Sequence, residues 1–216
     1  MNILVSWLAD GPSSEEFQRH LERIPDFMWM SPEGMMMNGT NGSQLWDTAL
    51  AVQALTESRI AEEEWARPYM LKALEFLDDC QIQHNMPDHE KYYRHVSKGA
   101  WPFSTREQTY TVSDCTAEGL KAVILLQNKL SYLPKLVSQK RLQNAVDVLL
   151  TMQNADGGFA SYEPIRGARE LELLNPSEVF GKIMIEYSYP ECTTAVLLGL
   201  TSFRKQYGAY RRNEIE

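Results

Sequence analysis

Residues Val112-Ser113-Asp114-Cys115-Thr116-Ala117-Glu118 set a carboxylic acid at the head of an apolar run, AEGLKAVILL, whose spacing is helical. An acid at that place has two opposed uses. As an N-cap it accepts backbone N–H bonds, and the helix terminus then favours the anion and lowers its pKa. A general acid must instead stay protonated near neutral pH and still release its proton. That calls for an apolar cavity that raises the pKa and for neighbours that steady the charge left behind. Ser113 reconciles the two, because a serine N-cap frees the Asp114 carboxyl to point into a cavity. Cys115 comes next in the chain, and Cys192 holds the matching place in Glu191-Cys192-Thr193-Thr194. By themselves the two thiols read as small buried packing groups. Asp114 and Glu118 share a helix face at i and i+4, which could also mimic the paired carboxylates of a glycan-processing site.

Other chemistries are poorly supported. His84, His89 and His95 fall in a polar stretch without ligand spacing, and there is no CxxC or HExxH, so neither a metal nor another cofactor is expected. The 216 residues carry a formal net charge of −8, against the basic face that nucleic-acid binding needs. No run approaches the roughly 18 apolar residues of a spanning helix. The opening MNILVSWLADGP lacks a basic leader and meets Asp10 early, so a signal peptide is not expected. Three widely spaced cysteines suit a reducing compartment better than a disulfide framework.

The elements that must position the acid follow from periodicity. Ser13 or Ser14 caps a helix over EEFQRHLERI, and Pro25 stops or bends it. Residues 28–43, rich in Gly, Met, Asn and Ser, read as a long irregular crossing. Helices are expected over QLWDTALAVQALTES from Ser43, and over 67–80, 114–128, 138–152 and 191–206, with 81–113 as loop. Thr48, Thr116 and Thr193 recur at spacings of 68 and 77 residues, each opening a small-residue aliphatic helix. More amphipathic helices lie between them. Helices apolar nearly all round are buried, and those with a charged face look outward. The reading is all-α: paired inner and outer helices of an α/α toroid, each pair relying on its neighbours for burial. Gln153 is expected to tie the end of one helix to the start of the next, with Phe159 packed over it.

VSDCTAE resembles the catalytic motif of the oxidosqualene cyclases, the lanosterol-synthase type of triterpene cyclase. The resemblance also runs through Arg23-Ile24-Pro25-Asp26, the segment from Gly39 to Ala49 with Leu45-Trp46-Asp47-Thr48, Asn154-Ala155-Asp156-Gly157-Gly158-Phe159-Ala160 and Leu174-Asn175-Pro176-Ser177-Glu178-Val179-Phe180. It covers essentially residues 1–216, and many surrounding residues look fungal. Bacterial squalene cyclases carry Asp-x-Asp-Asp and protonate an alkene, so Ser-Asp-Cys resembles the epoxide-opening branch.

The resemblance implies one partial catalytic domain over 1–216, part of an α/α barrel closed by six helix pairs. It implies an isomerase that protonates the epoxide of 2,3-oxidosqualene through Asp114 and guides a carbocation cascade to lanosterol or a related triterpene. Cys115 and Cys192 would be hydrogen-bond partners of the acid. Trp46, Phe103, Tyr162 and Phe180 would turn π faces to the cation. No cofactor is implied. Monotopic attachment to the endoplasmic reticulum or lipid droplets is. The family's proteins are much longer, so residues 1–216 alone are expected to be weak or inactive and prone to self-association. The alternative is a non-catalytic helical-repeat module that binds lipid or protein.

Overall fold

The computed structural model describes residues 2–37, 42–176, 181–182 and 184–216, and its contacts divide the chain into two units, Met1–Gly42 and Ser43–Glu216. In the first unit, α1 (Asn2–Asp10) ends where Gly11, at φ +81°, returns its N–H to Trp7. Helix α2 (Glu15–Arg23) starts as expected: Ser14 Oγ accepts from Phe17 N at 3.3 Å. Pro25 lies in a 3-10 turn, Ile24–Phe27.

The irregular crossing expected from residue 28 is, over its first ten residues, a hairpin. Strand β1 (Met28–Ser31) pairs antiparallel with β2 (Gly34–Met37), Ser31 opposite Gly34. Ser31 Oγ accepts from Glu33 N at 3.1 Å and donates to the Gly34 carbonyl at 3.2 Å. Gly34 adopts φ +127°, open to glycine at little cost. The closing Pro32-Glu33 is not among the common hairpin turn sequences, and methionine is no marker of strand, so composition pointed elsewhere. The rest of that crossing includes 38–41, outside the described residues.

The second unit holds α3 (Gln44–Glu57), α4 (Arg67–Cys80), α5 (Ser113–Lys129), α6 (Gln139–Thr151), α7 (Pro190–Tyr207) and α8 (Arg212–Ile215). Helix α5 lies between α3 and α7. It is buried almost all round, with only Asn128 and Lys129 exposed, which is why its sequence lacks a polar face. Helix α4 packs on α3 and α5, and α6 packs on α5. Each outer helix buries one stripe: Met70, Leu74 and Leu77 on α4, and Leu142, Ala145, Val146 and Leu149 on α6. This is the paired-helix arrangement that the repeat implied. Close approach of α5 and α7 depends on Gly199, where a Cβ would stand 2.9 Å from the Ala117 carbonyl oxygen.

Two threonines fasten the repeat. Thr116 Oγ1 accepts from Trp101 N at 3.0 Å, while Val112 N reaches the Trp101 carbonyl. One repeat later, Thr193 Oγ1 accepts from Phe159 N at 3.0 Å, and Tyr189 N reaches the Phe159 carbonyl. An aromatic residue entering from the loop is thus clamped on the first turn of the next inner helix. Thr48 differs, its hydroxyl donating to Gln44 O.

The linking role expected of Gln153 falls instead to Gln81. Exposed Gln153 donates to Gly157 O inside its own turn. Buried Gln81 donates to Gly99 O and Arg141 O and accepts from Arg141 Nε, joining the end of α4 to the start of α6. Phe159 is buried as expected.

Candidate active site

Helix α5 begins one residue earlier than the sequence reading had it. Val112, in extended conformation, is the N-cap, and Ser113 is the first helical residue. Its hydroxyl therefore does not cap the helix. It donates to Ala160 O at 2.5 Å, and its amide donates to Ser161 O at 2.7 Å. Val112 has no side-chain acceptor, and the segment 160–161 instead takes up Ser113's polar groups.

Asp114 sits in the first turn of α5, partly buried. Its Oδ1 accepts from Cys115 N at 2.8 Å. Its Oδ2 lies 3.6 Å from the Cys192 thiol, which comes from the first turn of α7. Burial pushes the Asp114 carboxyl above the usual carboxylate range, and the Cys115 amide and the two thiols oppose that rise. Capping and desolvation therefore act on one group, and desolvation wins. Burial also holds the Cys115 thiol well above its ordinary range and lifts Cys192 to about 12, with the nearby Asp114 carboxyl second. Both cysteines remain protonated donors. The geometry offers a partly buried acid whose pKa is raised, with a thiol 3.6 Å from one of its oxygens.

Glu118 does not pair with Asp114. Its buried carboxylate accepts from Gln53 Nε2 at 2.6 Å and lies 3.4 Å from Lys121 Nζ. The paired-carboxylate reading loses its geometry there. Glu191 is exposed in the first turn of α7.

Trp46 and Phe103 come together at the start of α3, their ring centroids 6.5 Å apart. The backbone explains the pairing: Leu45 N and Trp46 N donate to the Ser104 and Phe103 carbonyls, so the 103–104 segment caps α3. Gln108 holds that segment by accepting from both amides at 2.9 Å. The Tyr162 phenol has its pKa raised by burial and then by the charges of Glu186, Cys115 and Asp114. Phe180 falls outside the described residues.

Glu186 was missed by the sequence reading. Its carboxylate takes the Ser161 and Tyr162 amides, the first at 2.9 Å, and burial raises its pKa. It stands in an irregular stretch without periodicity, so nothing local marked it. A cleft of about 360 Å³ is lined in part by Tyr110, Tyr162, Ile185 and Glu186. Among the described residues, no group of three or more His, Cys, Asp or Glu could hold a metal, and no helix is long and apolar enough to cross a membrane.

Paired inner and outer helices, with a partly buried acid in the first turn of an inner one, are consistent with a terpene-cyclase type of domain. The family model for the squalene-hopene cyclase C-terminal domain matches residues 42–213. The whole chain is 61% identical to a stretch of lanosterol synthase from Pneumocystis carinii, covering 30% of that protein. It is 53% identical to human lanosterol synthase, covering 29%, and 44% identical to protostadienol synthase A of Neosartorya fischeri, covering 29%. The chain belongs to the oxidosqualene cyclase family. It spans about three-tenths of the length of these curated relatives.

Proposed function

We propose that residues 1–216 form part of the barrel domain of a cyclase that opens the epoxide of 2,3-oxidosqualene. The carrying observation is the Asp114 carboxyl, buried between the Cys115 amide and the Cys192 thiol. Asp114 gives its proton to the epoxide oxygen. The carbon–oxygen bond breaks as a neighbouring alkene of the substrate attacks, and positive charge passes along the folded chain. The Cys115 amide and the Cys192 thiol stabilise the aspartate anion, lowering the barrier to proton release. Trp46, Phe103 and Tyr162 present π faces to the moving cation and carry no strong nucleophile to quench it, and the family resemblance adds Phe180 to this set. Loss of a proton ends the cascade in a tetracyclic alcohol of the lanosterol class. An apolar substrate of this kind partitions into lipid, which supports a monotopic position on the endoplasmic reticulum or a lipid droplet.

The test is a segment exchange. Residues 1–216 replace the matching stretch of the Pneumocystis carinii lanosterol synthase, and the chimera is checked for cooperative melting. Detergent-dispersed 2,3-oxidosqualene and squalene are then supplied separately, and the lipid extracts are chromatographed. The expected result is a cyclised alcohol from the epoxide and no product from squalene. A folded chimera that cyclises neither, or that binds oxidosqualene without turnover, contradicts the assignment.

A further inference from the structure

Tyr162 is held by more than its own packing. Its ring meets that of Tyr110 edge to face, with centroids 5.4 Å apart and planes at 89°. The Arg94 guanidinium lies over the Tyr110 ring at 3.9 Å from the centroid. Arg94 is itself fixed by Glu163: Nε to Oε1 is 3.1 Å, the same oxygen accepts from His95 N at 3.2 Å, and Arg166 pairs with the same carboxylate. Glu163 is buried, and it is the residue after Tyr162 in the chain. The contacts therefore close a ring running Tyr162, Glu163, Arg94, Tyr110 and back to Tyr162. Every member except the peptide link is orientation-dependent, because edge-to-face and cation–π contacts weaken as rings rotate. Glu186 accepts from the backbone amides of Ser161 and Tyr162. All these groups stand on irregular segments, where holding one geometry costs conformational entropy.

We propose that Arg94, Tyr110 and Glu163 form a closed clamp that sets the ring plane of Tyr162, so that Arg94 and Tyr110 are positioning residues for the cyclisation. The clamp rests on the assignment of Tyr162 to the reacting cavity. A ring that presents its face to the cation stabilises it; a ring turned edge-on presents the positive rim of its quadrupole. Freed to rotate, Tyr162 would stabilise one stage of the cascade less, and the cation would lose a proton or take up water too early.

The readout is the ratio of prematurely quenched to fully cyclised products, measured in the chimera with the wild-type segment as reference. Tyr110→Leu keeps bulk and removes the ring. It should raise that ratio roughly three- to tenfold, in line with the worth of one edge-to-face pair. Tyr110→Phe keeps the ring and should restore the wild-type ratio. Should Tyr110→Leu fail to melt cooperatively, Arg94→Lys replaces it. That variant keeps the charge on Glu163 and loses the planar stack, and it should shift the ratio in the same direction. An unchanged ratio, even with lower total turnover, overturns the clamp, because a merely structural role would lower turnover alone. Tyr162→Leu separates the two claims. If it leaves the ratio unchanged, the cavity assignment itself fails. If it shifts the ratio while Tyr110→Leu does not, the cavity assignment stands and only the clamp is lost.

Discussion

At the scale of single residues, the account turns on a carboxyl whose pKa is raised by its surroundings. Burial raises the Asp114 pKa against hydrogen bonds that lower it. A raised folded-state pKa means that the native state binds more protons than the unfolded chain between the two values. Stability is then fully present below the unfolded pKa and falls as pH rises through the folded one. Asp114→Asn removes this titration. Urea unfolding of residues 1–216 should show the Asn variant gaining on wild type from about pH 4 upward and levelling once Asp114 is ionised. A difference that stays flat with pH would mean that the carboxyl is not perturbed. The VSDCTAE resemblance made Asp114 visible in the sequence, and the repeat set Cys115 and Cys192 at matching positions. The sequence could not show that Val112, not Ser113, caps α5, since that choice is made by a partner segment at 160–161. Glu186 and Tyr110 were invisible for the same reason: their partners are distant in the chain and follow no period.

At the scale of elements, the site depends on how closely the inner helices approach. Asp114 is on α5 and Cys192 is on α7, so their 3.6 Å contact is set by the packing of those two helices. Gly199 faces the Ala117 backbone, where an added methyl would meet the carbonyl oxygen at 2.9 Å. Backbone cannot step aside as a flexible side chain can. Gly199→Ala should therefore cost about 1–3 kcal/mol in chemical denaturation and should lower cyclisation in the chimera by parting Cys192 from Asp114. Wild-type stability and turnover in that variant would show that the helices can shift apart without consequence. The helices of the second unit were legible because a buried helix and a one-faced helix differ in composition along their whole length. The hairpin was not: Met28–Met37 carries no strand pattern that survives a methionine-rich composition, and its turn residues are atypical.

At the scale of the whole molecule, the inner helices α3 and α7, which flank α5, are less fully covered than it is. Both sides of α5 are packed, but Leu50 on α3 and Leu197 and Leu198 on α7 are exposed, Leu197 by 59%. Exposed aliphatic residues at the edge of a core mark an interface or an association hazard. Light scattering of residues 1–216 should show apparent mass rising with concentration, and Leu197→Glu with Leu198→Ser should reduce the rise. A monodisperse monomer across the range would show that those flanks are tolerated in water. The central claim is that Asp114 supplies the proton, and the most direct measurement is turnover of 2,3-oxidosqualene by the chimera carrying Asp114→Asn. The amide oxygen can still accept from the Cys115 amide, and the amide NH2 then faces the Cys192 sulfur, so melting should be preserved while the acidic proton is gone. The expected result is a folded protein whose rate falls by at least roughly 100-fold, the scale of a lost general acid. A folded Asn variant that cyclises the epoxide within a few-fold of the wild-type rate would contradict the account.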